Sequence, residues 1–174
     1  MLGWFKKKDA DTEHIAEQVT KIVLTAPVQG TVVSLEKVPD EAFSSKAMGE
    51  GFAIEPSKGE VTAPFDGKVT HIMEKSKHAI VLEHHTGVQV LIHVGINTVS
   101  LKGDGFNLHV HSEDKVKQGQ LLLSFDINKI QNAGYPTITP FLVPDGQDQV
   151  GRVTVNLETT DLAQTPTIIV HIKK

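Results

Sequence analysis

Thr25-Ala-Pro-Val-Gln-Gly-Thr-Val-Val-Ser-Leu35 returns 37 residues downstream as Thr62-Ala-Pro-Phe-Asp-Gly-Lys-Val-Thr-His-Ile72. In each copy a proline with fixed φ opens a turn, a glycine closes it, and apolar residues then alternate, the pattern of a turn feeding a strand. Two copies are too few for a solenoid, which needs at least about three. The duplication therefore predicts a pseudo-symmetric antiparallel β-sandwich or barrel. Working outward, further strand candidates are Ala79–Leu82, Val88–His93, Gln120–Phe125, Val150–Leu157 and Thr167–Ile172. After residue 20, only short pieces such as Glu41–Met48 and Asp126–Ala133 have helical character. Composition points the same way: Val (20), Ile (13) and Thr (15) supply 48 of 174 residues, with 22 Gly and Pro as turn residues and nine aromatics. The fold class is all-β with few short helices.

Charge and residue usage exclude several functions. The 17 Lys and Arg against 21 Asp and Glu give a net charge of −4, which offers no electrostatic footprint for nucleic acid. Cysteine is absent, so the chain has no thiolate nucleophile, disulfide framework or Cys-based zinc site. The longest stretch free of Asp, Glu, Lys and Arg, His84 to Leu101, carries three histidines, Gln89 and Asn97, which a hydrocarbon core rejects. Met1-Leu-Gly-Trp-Phe-Lys-Lys-Lys8 places apolar residues before basic ones, the reverse of a signal peptide, and the expectation is a cytoplasmic chain. Residues 1–19 divide from a domain over 20–174. They read either as a plain tail or as a short interfacial anchor, with Leu2, Trp4 and Phe5 at the headgroups and Lys6 to Lys8 against anionic lipid.

What remains as neutral-pH chemistry is nine histidines. Two stand out, at the ends of His78-Ala-Ile-Val-Leu-Glu-His-His-Thr-Gly-Val-Gln-Val-Leu-Ile-His93, two apolar strands around a polar turn with the form of a β-hairpin. If His85-Thr86 is the loop, residues whose numbers sum to 171 pair, which sets His78 opposite His93 on one face; a three-residue loop with a bulge shifts this register by one. Facing imidazoles can bind a metal, pack as a structural pair, or carry a phosphoryl group, one nitrogen attacking phosphorus while the other ring stabilises the adduct. No P-loop or kinase glycine loop is present, which argues against nucleotide as direct donor. Gly95, Gly103 and Gly105 after His93 allow a partner backbone to approach closely.

Leu91-Ile-His-Val-Gly-Ile-Asn-Thr-Val-Ser-Leu-Lys-Gly-Asp-Gly-Phe106, with Lys77-His78-Ala79 and Val38-Pro-Asp-Glu-Ala-Phe-Ser-Ser-Lys-Ala-Met-Gly-Glu-Gly51, resembles the glucose-class enzyme IIA of the bacterial phosphoenolpyruvate-dependent sugar phosphotransferase system. The resemblance runs from about Val23 to the end, through Thr139-Pro140 and the closing Thr165 to Lys173 segment. It implies an antiparallel β-sandwich with a duplicated motif. His93 becomes the phosphate acceptor and His78 the neighbour that stabilises the phosphorylated state. The donor is then HPr and the acceptor a cysteine on a IIB domain, with no resident cofactor or metal. By the same resemblance Asp40 is an acidic residue near the active histidine, and Asn97 stands where Asp is common, which weakens steering of a basic partner. Val38, Ala42 and Phe43 match a hydrophobic docking rim, with ordinary core packing as the plain alternative. Ser76 is placed to hydrogen-bond an imidazole or the phosphate.

The rival from another class is a zinc metallopeptidase of related β-architecture using His109 and His111. It lacks an upstream His-x-x-x-Asp partner. A biotinyl- or lipoyl-type carrier is suggested by the Ala-Pro-x-x-Gly-x-Val repeat, but no Met-Lys-Met or Asp-Lys-Ala signature occurs.

Overall fold

A computed structural model describes residues 20–157 and 168–173. The elements run β1 (Lys21–Leu24), β2 (Gly30–Ser34), α1 (Glu41–Ser44), β3 (Gly49–Pro56), β4 (Glu60–Thr62), β5 (Gly67–Ile72), β6 (Ala79–His84), β7 (Gln89–His93), β8 (Phe106–Leu108), β9 (Lys115–Val116), β10 (Leu121–Phe125), α2 (Ile127–Asn132), β11 (Thr139–Pro144), β12 (Val150–Val155) and β13 (Ile168–Ile172). Short 3-10 turns occupy Leu35–Lys37 and Thr98–Leu101. Seven strands form one sheet in the order β2-β3-β11-β7-β6-β5-β9, and two three-stranded sheets, β4-β10-β8 and β1-β13-β12, complete the architecture. The pairings are antiparallel. The two expected helical pieces are helical, each shorter than its sequence window because α1 ends by Ser44 and α2 by Asn132.

The sequence repeat has a structural meaning beyond local turn formation. The Thr25 N–H and hydroxyl donate to the Pro64 carbonyl at 3.3 and 3.1 Å, and the Thr62 N–H and hydroxyl donate to the Pro27 carbonyl at 2.8 and 3.4 Å. Each copy's threonine thus ties to the other copy's proline, a reciprocal clasp. The repeat glycines, Gly30 and Gly67, open β2 and β5, and a Cβ on either would run into a neighbouring strand at the Glu55 or Glu83 carbonyl oxygen. Glycine is there because another backbone passes too close for a side chain.

The main core is built from alternating inward residues such as Leu24, Phe52, Ile54, Val69, Leu82, Val90, Ile92, Leu122 and Phe141. A second, smaller cluster joins Leu35, Val38, Phe43, Ala53, Ile96, Ile138 and Leu142. That cluster seats α1 against the end of β7. Burying Phe43 to 5 % exposure is worth on the order of 2–3 kcal/mol, and it fixes the helix whose N-cap, Asp40, accepts the Ala42 N–H at 2.9 Å.

The β6–β7 register differs from the one expected. Ala79 lies opposite His93, Ile80 opposite Ile92 and Glu83 opposite Gln89, so paired numbers sum to 172 and not 171. The cause is Gly87, which at φ +87° turns the connection into a three-residue loop with a bulge. The Gly87 N–H donates to the His84 carbonyl at 2.8 Å and the His84 N–H to the Val88 carbonyl at 2.9 Å. His78 consequently falls opposite Val94, whose N–H donates to the His78 carbonyl at 2.7 Å.

Candidate functional site

The slip in register does not separate the two imidazoles. β6 begins at Ala79, and Lys77 takes a left-handed φ of +57°, so His78 sits outside the regular pleat and its ring swings beside that of His93. The ring centroids are 4.7 Å apart with planes at 85°, an edge-to-face contact. The pair therefore forms through a backbone irregularity and not through direct cross-strand opposition.

His93 is held by a main-chain acceptor. Its Nδ1 lies 2.8 Å from the Gly95 carbonyl oxygen, and a carbonyl can only accept, so Nδ1 carries the hydrogen and the ring's free lone pair resides on Nε2. Gly95 must be glycine for this carbonyl to sit where it does. Its φ is +69°, and a Cβ would meet Thr98 Cγ2 at 2.5 Å and the Pro136 carbonyl oxygen at 2.8 Å. Thr98, fully buried, reinforces the turn by donating its hydroxyl to the Val94 carbonyl at 2.5 Å. Burial pushes the His93 pKa below the ordinary imidazole value, while the Gly95 carbonyl and the Asp40 carboxylate oppose that shift. Phe43 closes the other side of the ring at 5.1 Å.

His78 is only 5 % exposed, and its Nδ1 lies 2.7 Å from the hydroxyl of Ser76, itself 5 % exposed. The serine hydroxyl can donate to or accept from Nδ1, so the contact serves either tautomer of the neutral ring, and where it donates the ring hydrogen lies on Nε2. Burial first, and the neighbouring His93 second, lower the His78 pKa to about 4. Both rings are neutral at neutral pH. His93 supplies a lone pair, and His78, in the tautomer whose Nδ1 accepts from Ser76, supplies an N–H donor in a largely desolvated setting, the equipment for nucleophilic attack on an electrophile and stabilisation of a developing anion.

The remaining sequence-selected residues surround this pair unequally. Asp40 caps α1 and acts on His93 through its charge. Asn97 is exposed with φ +60°, a left-handed conformation that asparagine tolerates better than most residues. Val38 and Phe43 are buried, at 3 % and 5 % exposure, and pack in the small cluster beneath the site, while Ala42 is exposed. The sequence reading missed the Gly95 carbonyl, which fixes the His93 ring. The glycine after Val94 is the available signal, since a left-handed turn there aims its carbonyl back at the ring.

The other described histidines lie apart. His84 and His85 contact each other at 4.0 Å at the loop end of the hairpin. His109 Nε2 meets the Ser124 hydroxyl at 2.5 Å, and exposed His111 lies 3.7 Å from Asp114. Among the described residues no three His, Asp or Glu side chains converge into a metal-ligand set, so the zinc-peptidase reading finds no third ligand for His109 and His111. No described helix is long and apolar enough to cross a membrane. The candidate anchor, residues 1–8, lies outside the described residues.

The site is thus an edge-to-face histidine pair beside a left-handed glycine turn on an antiparallel β-sandwich. The chain belongs to the family of phosphoenolpyruvate-dependent sugar phosphotransferase system EIIA 1 domains, whose model matches residues 22–149. Its fold is similar to the glucose permease IIA from Mycoplasma capricolum, with a TM-score of 0.76 and 28 % sequence identity over 87 % of this chain and 96 % of that one.

Proposed function

We propose that His93 accepts a phosphoryl group from phospho-HPr and passes it to a cysteine thiolate on a IIB domain for sugar uptake. In the first step the Nε2 lone pair forms the N–P bond as the bond to the donor breaks, its electron pair leaving with the donor. In the second, the thiolate attacks the same phosphorus and Nε2 departs with its electron pair restored. His78 donates its Nε2–H to the phosphoryl oxygens, and the Ser76 hydroxyl keeps that ring in the donating tautomer. The observation that supports this most is the bond from His93 Nδ1 to the Gly95 carbonyl, because it leaves the lone pair of the neutral ring on Nε2, in a ring whose centroid lies 4.7 Å from that of His78. The reading puts the chain in the cytoplasm and gives its lack of cysteine a sense: the thiol acceptor resides on a different domain.

Incubation with phosphoenolpyruvate, enzyme I and HPr tests it. The expected product is an acid-labile, base-stable label. His93→Ala abolishes it, whereas His78→Gln still accepts phosphate but delivers it poorly to the IIB domain. Full labelling of the His93→Ala protein would refute the assignment.

A further inference from the structure

The imidazole pair lies between an acidic and a basic edge. On the His93 side, α1 contributes Phe43 against the ring, with Asp40 and exposed Glu41 on the same short helix. On the His78 side, the turn between β5 and β6 contributes Lys77, directly before His78, and exposed Lys75. The turn after the 3-10 segment lies against this one: a Cβ on Gly103 would meet the Lys75 carbonyl oxygen at 2.7 Å and Lys77 Cδ and Cε at 3.5 and 3.6 Å. Exposed Lys102 therefore joins Lys75 and Lys77 along one edge.

Among the described residues, these cations are not used in ion pairs. The ion pairs of the described residues engage Lys46, Lys58, Lys68, Lys117 and Lys129, and none of the three edge lysines. The nearby carboxylate Asp104 is already held by Lys129 at 2.5 Å, which leaves exposed Glu74 as the one acid within the β5–β6 turn. Lys77 and Lys102 also hold left-handed backbones, at φ +57° and +52°. Glycine or asparagine takes that conformation more readily, so local backbone preference does not account for lysine at either place.

We propose that Lys75, Lys77 and Lys102 are a docking edge for a carboxylate-bearing protein surface on the partners that exchange phosphate with His93. A partner then seats in one orientation, its acids over the lysines and its bases toward Asp40 and Glu41. The proposal rests on His93 being the phosphoryl acceptor. A reacting group must come within about 3–3.5 Å of the nucleophile, and a specific interface covers roughly 800 Å² of each partner. A protein seated over His93 and His78 covers Lys77 as well, and an uncompensated lysine there would oppose docking.

The test compares the full chain with Lys75→Glu/Lys102→Glu and with the matching double Gln variant, Lys77 being kept because its backbone carries His78 to His93. Phosphoramidate, a small donor that needs no docking surface, is expected to label His93 equally in all three. Transfer from phospho-HPr is expected to fall by about tenfold or more in the Glu variant at low salt, less in the Gln variant, with the gap narrowing at high salt. Equal or faster transfer in the Glu variant would overturn the proposal. So would unchanged transfer together with lost binding to phosphatidylserine vesicles, which would assign the lysines to lipid. Absence of His93 labelling by phosphoramidate in the unaltered chain would overturn the acceptor reading as well, and would show that the chemistry had failed and not the docking.

Discussion

Acid should destabilise this protein through His78, by an amount that can be worked from its environment. The ring is buried and its pKa is lowered from 6.5 to about 4. Between those values the unfolded chain binds more protons at this position than the folded one, so stability rises with pH across the window and is lost as pH falls through 6.5 toward 4. One pKa unit corresponds to about 1.4 kcal/mol, and partial titration at pH 5 leaves roughly 2 kcal/mol of the effect relative to pH 7. For a chain of this length that equals a fall of roughly 4–8 °C in Tm. His84, with its pKa also lowered to about 4, adds in the same direction, so the measurement must isolate His78. Urea unfolding of the unaltered chain and of His78→Gln, each at pH 7 and pH 5, does so: the variant should lose about 2 kcal/mol less between the two pH values, whatever its stability at pH 7. An identical pH dependence in both proteins would refute the claim that His78 is held neutral by burial, and with it the assignment of a neutral donor ring.

Other consequences follow from single contacts. Gly95→Ala forces a Cβ against Thr98 and Pro136 at a left-handed φ; it should cost about 1–3 kcal/mol in urea unfolding and slow labelling of His93 by displacing the carbonyl that fixes its tautomer. Asn97→Asp, at an exposed position, should leave stability within about 0.5 kcal/mol and raise the rate of transfer from phospho-HPr at low salt, with the gain vanishing at high salt. Thr25→Val combined with Thr62→Val removes both hydroxyl bonds of the clasp between the repeats and should cost about 1–2 kcal/mol, with phosphoryl transfer at the native rate when assayed well below the melting temperature.

The repeat was legible because a proline turn, a glycine and alternating apolar residues impose a strand locally, and β2 and β5 begin at the two glycines that the pattern marks. The reciprocal bonds between the copies were not, since nothing in either eleven-residue stretch states that its threonine meets the other copy's proline. The hairpin was legible as a unit, but its register turned on one residue: Gly87 in a left-handed conformation adds the bulge that shifts every pair by one. His78 and His93 meet regardless, through the left-handed Lys77. Periodicity arguments assume a regular pleat, so they could not see that contact form as it does. Val38 and Phe43 carry two readings because an apolar residue in or just before a short helix has the same sequence signature under a site as on its rim. Tertiary packing beneath α1 buries both.

The central claim is that a phosphoryl group is carried on Nε2 of His93, and long-range nitrogen–proton correlation spectra with phosphorus NMR of the enzymatically phosphorylated full chain test it most directly. The account predicts one phosphohistidine, at residue 93, with phosphorus bonded to Nε2 while Nδ1 keeps its hydrogen toward the Gly95 carbonyl. A phosphoryl group on Nδ1, on His78 or on any other side chain would contradict it.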